Sequence, residues 1–323
     1  MLSEENVKTN SPRAWVLAAR PKTLAGAAVP VMIGAAFGFK NVGWADFQIL
    51  PAILCFLFAF LMQIDSNFIN DYFDFMKGND DPASRLGPKR ACSEGWITPH
   101  AMRIGLVVTS ALACVVGLPL IYYGGWEMVI VGAVCVLFAF LYTTFFSYKG
   151  MGDILVLVFF GIVPVCFTCY VIMPQETQTI TLETFLMSVA CGCVIDTLLC
   201  INNFRDRDND RRDGKRTMIV RLGEKWGTRL YAIMGYAGAI IACLTLWVFN
   251  VLMTSVVRPW AGLVYAAALL VIYANHHANA YKEMKAINKG RELNRVLGHT
   301  ARNMFLFGLL TSAEILIFAF LQS

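Results

Sequence analysis

The chain is 323 residues long, 57% hydrophobic and only 15% charged, with a formal net charge of +5. Soluble domains carry about 25% charged residues, so this chain has too few polar groups to cover a water-facing globule of its size. The composition excludes a soluble enzyme, a disordered scaffold and a disulfide-stapled secreted domain, and leaves a polytopic helical membrane protein forming one unit over 1–323.

The first twenty residues are polar and show no short apolar core with a small-residue cleavage site, so no cleavable signal peptide is expected. Apolar runs then predict nine spanning helices, at 23–39, 49–70, 105–122, 128–147, 154–173, 185–203, 231–254, 261–275 and 304–321. Most approach the ~20 residues that cross a bilayer as a helix. The runs are continuous and do not alternate apolar with polar, which argues against a β-barrel. Nine of the ten cysteines fall inside these runs and read as small apolar packing residues. The remaining one, Cys92, lies in a loop.

Lysine and arginine orient the chain, because cytoplasmic loops hold their excess. The N-terminal segment and the loops after the second, fourth, sixth and eighth runs hold 25 of the 27 basic residues, and only Lys40 and Arg258 remain for the other side. A wrong helix count would scramble that partition. The N-terminus is therefore expected in the cytoplasm and the C-terminus outside, with 71–101 and 204–230 as cytoplasmic loops capping one end of the bundle. The net charge needs no nucleic-acid partner; the bilayer explains it.

Two acidic clusters stand at the inner ends of the second and sixth runs. The first reads Asn67, Asn70, Asp71 and Asp74, and the second Asn202, Asn203, Asp206 and Asp210. Residues three or four apart share a helix face, so each cluster makes a polar stripe, while Asp80 and Asp208 fall off those stripes. The stripes are four helices apart on the same membrane side, which suggests two four-helix halves plus a ninth helix and a site at their interface. Carboxylates gathered at a membrane surface repel one another and lose hydration. Mg2+ removes that penalty, since it takes oxygen ligands and is usually shared between carboxylates and substrate phosphates. Two such rows, each followed by a basic loop, are more than ordinary solvated helix ends.

These residues resemble the UbiA superfamily of intramembrane aromatic prenyltransferases. Asn70, Asp71 and Asp74 look like its first aspartate-rich motif, and Asp206 and Asp210, followed by Gly214 and Lys215, like its second. Within it the chain is most similar to the branch acting on 1,4-dihydroxy-2-naphthoate. That likeness is carried by Arg20 to Leu24, Asn70 to Gly78, Gly150 to Asp153 with Val158 to Gly161, and Ile201 to Asn203 with Val220 to Glu224. The superfamily often has a further Asp where Gly78 stands here, a departure that the naphthoate branch shares; the acids come later, as Asp80 and Asp81.

The resemblance implies a UbiA-like helical bundle in a bacterial cytoplasmic membrane with its site on the cytoplasmic side. It implies transfer of a polyprenyl group from an allylic polyprenyl diphosphate to 1,4-dihydroxy-2-naphthoate with loss of CO2, giving demethylmenaquinol in menaquinone biosynthesis. Asn70, Asp71, Asp74, Asp206 and Asp210 would hold Mg2+ and carry catalysis. Lys22, Lys77, Arg85, Arg90, Lys149 and Lys215 are the candidates for the diphosphate. Asn67, Tyr72, Tyr148, Asn203 and Phe204 would flank the ring or shelter an allylic cation. The competing readings are another aromatic prenyltransferase of the superfamily, such as one acting on 4-hydroxybenzoate, and more remotely an ion-coupled transporter. A transporter would place its acids at mid-membrane. Three deeper acids, Asp65, Asp196 and Glu314, are expected to pair with Ser, Thr or Asn of neighbouring helices, and His276 and His277 to be solvated at the interface.

Overall fold

The computed structural model describes residues 7–79, 81–249 and 259–322, and their side chains except at 259–265 and 322. In chain order the helices are α1 (Pro12–Ala19), α2 (Leu24–Asp46), α3 (Ile49–Met76), α4 (Pro99–Gly117), α5 (Leu120–Gly124), α6 (Glu127–Leu141), α7 (Gly152–Leu157), α8 (Val163–Ile172), α9 (Leu182–Arg212), α10 (Met218–Leu222), α11 (Glu224–Trp247), α12 (Pro259–Ile287) and α13 (Leu293–Gln322). There is no strand among the described residues. Eight helical segments among them are long and apolar enough to cross a membrane. The expected span at 261–275 falls on α12; residues 250–258, and with them the end of the expected span at 231–254, lie outside the described residues, as does Asp80.

Local chemistry sets the helix ends. Ser11 caps α1 by accepting the Ala14 N–H at 3.3 Å, Pro12 follows at the first turn, and Arg20 stops the helix at φ 52°. Thr98 and Thr181 cap α4 and α9 in the same way, accepting from Ala101 and Thr184. Tyr142–Phe146 and Val158–Ile162 are π-helical turns that continue α6 and α7.

The spans differ in what covers them. Within its most apolar window α9 is 72% buried, while that of α6 is 6% buried and faces lipid. The main core joins residues of α2, α8, α9, α11, α12 and α13, among them Phe37, Val165, Met187, Leu246, Tyr273 and Phe307. A second core under α1 joins Ala14, Phe68, Ile97 and Met102. The π-helical turn after α7 approaches α9 at van der Waals distance: a Cβ on Gly161 would lie 2.7 Å from the Gly192 Cα, and one on Gly192 2.9 Å from the Leu157 carbonyl oxygen. Small residues allow such backbone approach between membrane helices.

This contact fixes α7 against the middle of α9, and it has no room to give. Gly192→Leu is expected to cost about 1–3 kcal/mol and to lower the thermal midpoint in detergent. Gly132→Leu on α6, where a Cβ meets nothing within 4 Å, should leave that midpoint unchanged.

Candidate active site

α3 has 28 residues and α9 has 31, lengths of roughly 42 and 46 Å at 1.5 Å per residue. A hydrocarbon core is about 30 Å thick, so the last turns of both helices project past it. Those turns carry the acidic rows. The helices continue through the polar residues to Met76 and Arg212, so the starts of the expected loops at 71–101 and 204–230 are helical, and the second of these also contains α10 and the start of α11.

The two rows meet. Asp74 from α3 and Asp206 and Asp210 from α9 line one pocket with about 460 Å3 of empty space, counting its open mouth. Arg85 and Arg90 from the loop after α3, and Lys215 from the turn after α9, complete its charged wall. Asp74 is the junction: Lys215 Nζ lies 3.2 Å from its Oδ1 and an Arg90 guanidinium nitrogen 3.5 Å from its Oδ2. Asp206 is held by its neighbour Arg205 through two bonds of 2.9 and 2.7 Å. The charged neighbours of Asp210 are Lys215, Asp206, Asp213 and Asp74. Burial alone would lower the Lys215 ammonium, but the Asp74 and Asp210 carboxylates outweigh it and hold it above its ordinary value. Asn79, Asp81, Asn209 and Asp213 also line the pocket. No helical stripe of the sequence includes them, although Asp81 is one of the later acids that follow Gly78.

Asp71 has a different position. It is fully buried, and its two oxygens accept the backbone N–H groups of Ala91 at 2.8 Å and Cys92 at 2.9 Å, with Arg20 3.7 Å away. It thereby pins the loop after α3 to the helix. Asn209 donates to the Ser84 carbonyl and Asn294 to the Leu86 carbonyl, so the same loop lies across α3, α9 and the start of α13. Asn70 accepts from the Thr143 hydroxyl at 2.6 Å. Asn67 donates to the Ala19 carbonyl and the Thr23 hydroxyl and ties α3 to the turn after α1.

Other expected residues point elsewhere. Lys22 is exposed on the turn after α1, and Lys149 is exposed with its ammonium 3.9 Å over the Phe145 ring. Lys77 lies 4.1 Å over the Tyr148 ring and donates to the Thr144 carbonyl. None of the three lines the pocket. Partial burial lowers the Lys77 ammonium, with the Asp74 charge opposing. The Tyr148 hydroxyl accepts from Asn79 at 2.6 Å, and Lys215 lies 5.5 Å from the same ring. Tyr72 packs edge-on against Phe73 at the margin of the core under α1. Phe204 is wholly buried on the far side of α9, under the Arg207 guanidinium.

A second, smaller pocket opens one level deeper, lined by Tyr142, Ser147, Asp153, Asn203 and Thr217 among others. Asn203 of the second stripe belongs here. Of the deeper acids, Asp65 pairs with Ser110 on α4 at 2.8 Å, as expected. Asp196 does not pair with a Ser, Thr or Asn; its neighbours are Cys200, one turn along its own helix, and Asp153. Glu314 is buried, with no hydrogen bond to its Oε1 among the described residues. His277 is not solvated at an interface: α12 runs on to Ile287, and the imidazole is fully buried against Tyr231, Tyr236 and Tyr273.

The donor set of the first pocket suits a hard divalent cation. Carboxylate and amide oxygens supply it, and neither Cys nor His lines the pocket among the described residues.

Comparison with known proteins bears on the whole architecture. Residues 27–294 match the model of the UbiA prenyltransferase family. The 1,4-dihydroxy-2-naphthoate octaprenyltransferase of Escherichia coli K12 is 35% identical over 311 residues, covering 93% of this chain and 96% of that protein. The enzyme of the same description from Mycobacterium tuberculosis is 31% identical, with 93% and 96% covered. A UbiA homolog from Aeropyrum pernix K1 shares the fold at a TM-score of 0.67 and 13% identity, covering 92% of this chain and 98% of that one. A UbiA homolog from Archaeoglobus fulgidus, solved with GPP and Mg2+, does so at 0.64 and 14%, covering 94% and 99%. With a helical bundle whose two acidic helix ends meet in one pocket, and a family match over most of its length, the chain belongs to the UbiA prenyltransferase family.

Proposed function

We propose that this protein transfers a polyprenyl group from an allylic polyprenyl diphosphate to 1,4-dihydroxy-2-naphthoate, with loss of CO2, giving demethylmenaquinol in menaquinone biosynthesis. The observation that carries the reading is the meeting of Asp74, Asp206 and Asp210 with Arg85, Arg90 and Lys215 in one pocket at the helix ends. The full-length likeness to octaprenyltransferases acting on that naphthoate supports the choice of acceptor.

Asp74, Asp206 and Asp210, with Asn70 beside them, would hold Mg2+. Bound there, the cation would neutralise negative charge on the departing diphosphate. Arg85, Arg90 and Lys215 bind the remaining phosphate oxygens. Of the residues expected to serve the diphosphate, Lys22, Lys77 and Lys149 are left out, because they do not line the pocket. Asp71 acts as the anchor of the loop after α3, which caps the site and keeps water from the allylic carbon. Tyr148, fixed by Asn79, presents a ring to the developing cation. The polyprenyl tail runs in an apolar groove between helices, open to lipid.

The same reading takes the bundle as nine crossings, two four-helix halves and a ninth helix, in a bacterial cytoplasmic membrane. The N-terminus and the site face the cytoplasm and the C-terminus lies outside. The one-sided distribution of basic residues supports that orientation.

Purified protein given Mg2+, a polyprenyl diphosphate and candidate aromatic acids should prenylate dihydroxynaphthoate and release CO2. Product from 4-hydroxybenzoate alone would overturn the choice of acceptor, and EDTA should stop the reaction until Mg2+ is restored. Asp74→Asn and Asp210→Asn should each lower turnover by ~100-fold or more, Asp210→Asn with little change in thermal midpoint. Asp71→Asn should instead lower that midpoint, because a charge-assisted bond worth about 1.5–3 kcal/mol is lost from a buried anchor. Equal midpoints in Asp71→Asn and Asp210→Asn would refute the division of roles. The raised Lys215 ammonium stays charged as pH increases, so KM for the diphosphate should rise in Lys215→Met at every value over roughly pH 6–9.

A further inference from the structure

The wall of the deeper pocket adjoins the most unusual titratable cluster in the described part of the bundle. The carboxylates of Asp153 and Asp196 and the thiol of Cys200 lie within 4.8 Å of one another. Asp153 comes from the first turn of α7 and the other two from successive turns of α9. Cys200 Sγ donates to Asp196 Oδ2 at 3.4 Å. Asp196 is fully buried, and neither its Oδ1 nor that of Asp153 has a hydrogen-bond partner among the described residues. Tyr142 and Cys193 are further neighbours of the carboxylates. The Arg221 side chain lies close to Gly150, but neither Lys nor Arg lines the pocket among the described residues.

Two carboxylates this close repel one another when both carry charge. The arrangement is asymmetric. Asp196 is sealed inside the helix packing, whereas Asp153 is half-buried and forms part of the pocket wall, with one buried oxygen that has no hydrogen-bond partner among the described residues. Asn203 precedes Asp210 by two helical turns, roughly 10 Å along α9, so the deeper pocket lies beneath the diphosphate site. Tyr142 joins the levels, since its phenol is within electrostatic reach of Asp74 and Asp210 above and of Asp153 and Asp196 below.

We propose that Asp153 is the base that takes the ring-hydroxyl proton of the aromatic acceptor, and that the pocket of Tyr142, Ser147, Asp153, Asn203 and Thr217 receives the hydroxyl edge of that ring. The inference rests on the transferase reading above. The hydroxyl proton moves to an Asp153 oxygen, and the electron pair left on the ring oxygen drives the carbon bearing the carboxylate onto the allylic carbon. The allylic C–O bond breaks and its electron pair leaves with the diphosphate. The ring carbonyl so formed then accepts electrons as CO2 departs and recovers the proton from Asp153. Asp196, buried behind it, is a positioning residue.

The test uses full-length protein in lipid nanodiscs with Mg2+ and a polyprenyl diphosphate. Asp153→Asn is expected to lower kcat for dihydroxynaphthoate by ~100-fold or more, with diphosphate affinity by calorimetry within about 2-fold of wild type, and Asp153→Glu to restore part of the loss. With acceptors of increasingly acidic hydroxyl the deficit of Asp153→Asn should shrink, and its residual rate should climb with pH as the acceptor ionises itself. A structural role would give one constant deficit for all acceptors, which would overturn the proposal, as would wild-type turnover or lost diphosphate affinity in Asp153→Asn. A wild-type protein that binds diphosphate yet prenylates no hydroxylated aromatic acid would overturn the transferase reading, and this inference with it.

Discussion

A carboxylate at the edge of a bilayer has lost much of its water and must be compensated by other charges. Asp74 meets that requirement with two cations from separate parts of the chain, Arg90 from the loop after α3 and Lys215 from the turn after α9. The charge balance therefore also holds the geometry. It draws both connecting segments over the ends of the two helices whose acids line the pocket. The cations that compensate Asp74 are the ones a diphosphate would meet there, so one set of groups serves the empty and the loaded pocket.

The loop that delivers Arg85 and Arg90 would be too long to position them if only its ends were fixed. Asp71 removes that freedom by accepting two consecutive backbone N–H groups inside the loop. Two adjacent carboxylates thus have opposed surroundings. Asp71 is saturated by backbone donors in a dry site, and Asp74, one turn on, faces the pocket and holds mobile side-chain cations. Backbone donors cannot leave to make room for a ligand, whereas Lys and Arg side chains can turn to phosphate. This contrast separates the anchor from the reactive acid more firmly than the motif in which they stand together.

Much of this was legible in the residues. Apolar runs gave the positions of the spans, and the three-and-four spacing put Asp74 with Asn70 and Asp210 with Asp206 on shared faces. Helix ends were less legible, because Asn, Asp and Arg end an apolar run without ending a helix; α3 and α9 simply continue through them to Met76 and Arg212. Lys22 and Lys149 misled because sequence records a charge and not its direction, and a long flexible stem can carry the ammonium away from an adjacent site. His277 misled for a related reason: polar neighbours suggested an interface, but three tyrosines enclose the ring. The Asp153–Asp196 pair could not be read from periodicity at all. It depends on the close approach of Gly161 to Gly192, a tertiary contact between distant segments.

That contact gives α9 its organising role. One straight helix lines the deeper pocket with Asn203, carries Asp196 behind its wall, and lines the upper pocket with Asp206 and Asp210. Its rise per residue fixes the spacing between the levels, so the separation of a donor diphosphate from an acceptor hydroxyl is set by backbone geometry and not by mobile loops. The side chains between the levels reinforce this. Tyr148 is held by Asn79, its carbonyl accepts from the Arg216 backbone, and Lys215 and Thr217 on either side of Arg216 line the upper and the deeper pocket respectively. The short segment 215–217 therefore forms the partition between the two levels, and a reaction joining a bond broken above to a ring activated below has to take place across it.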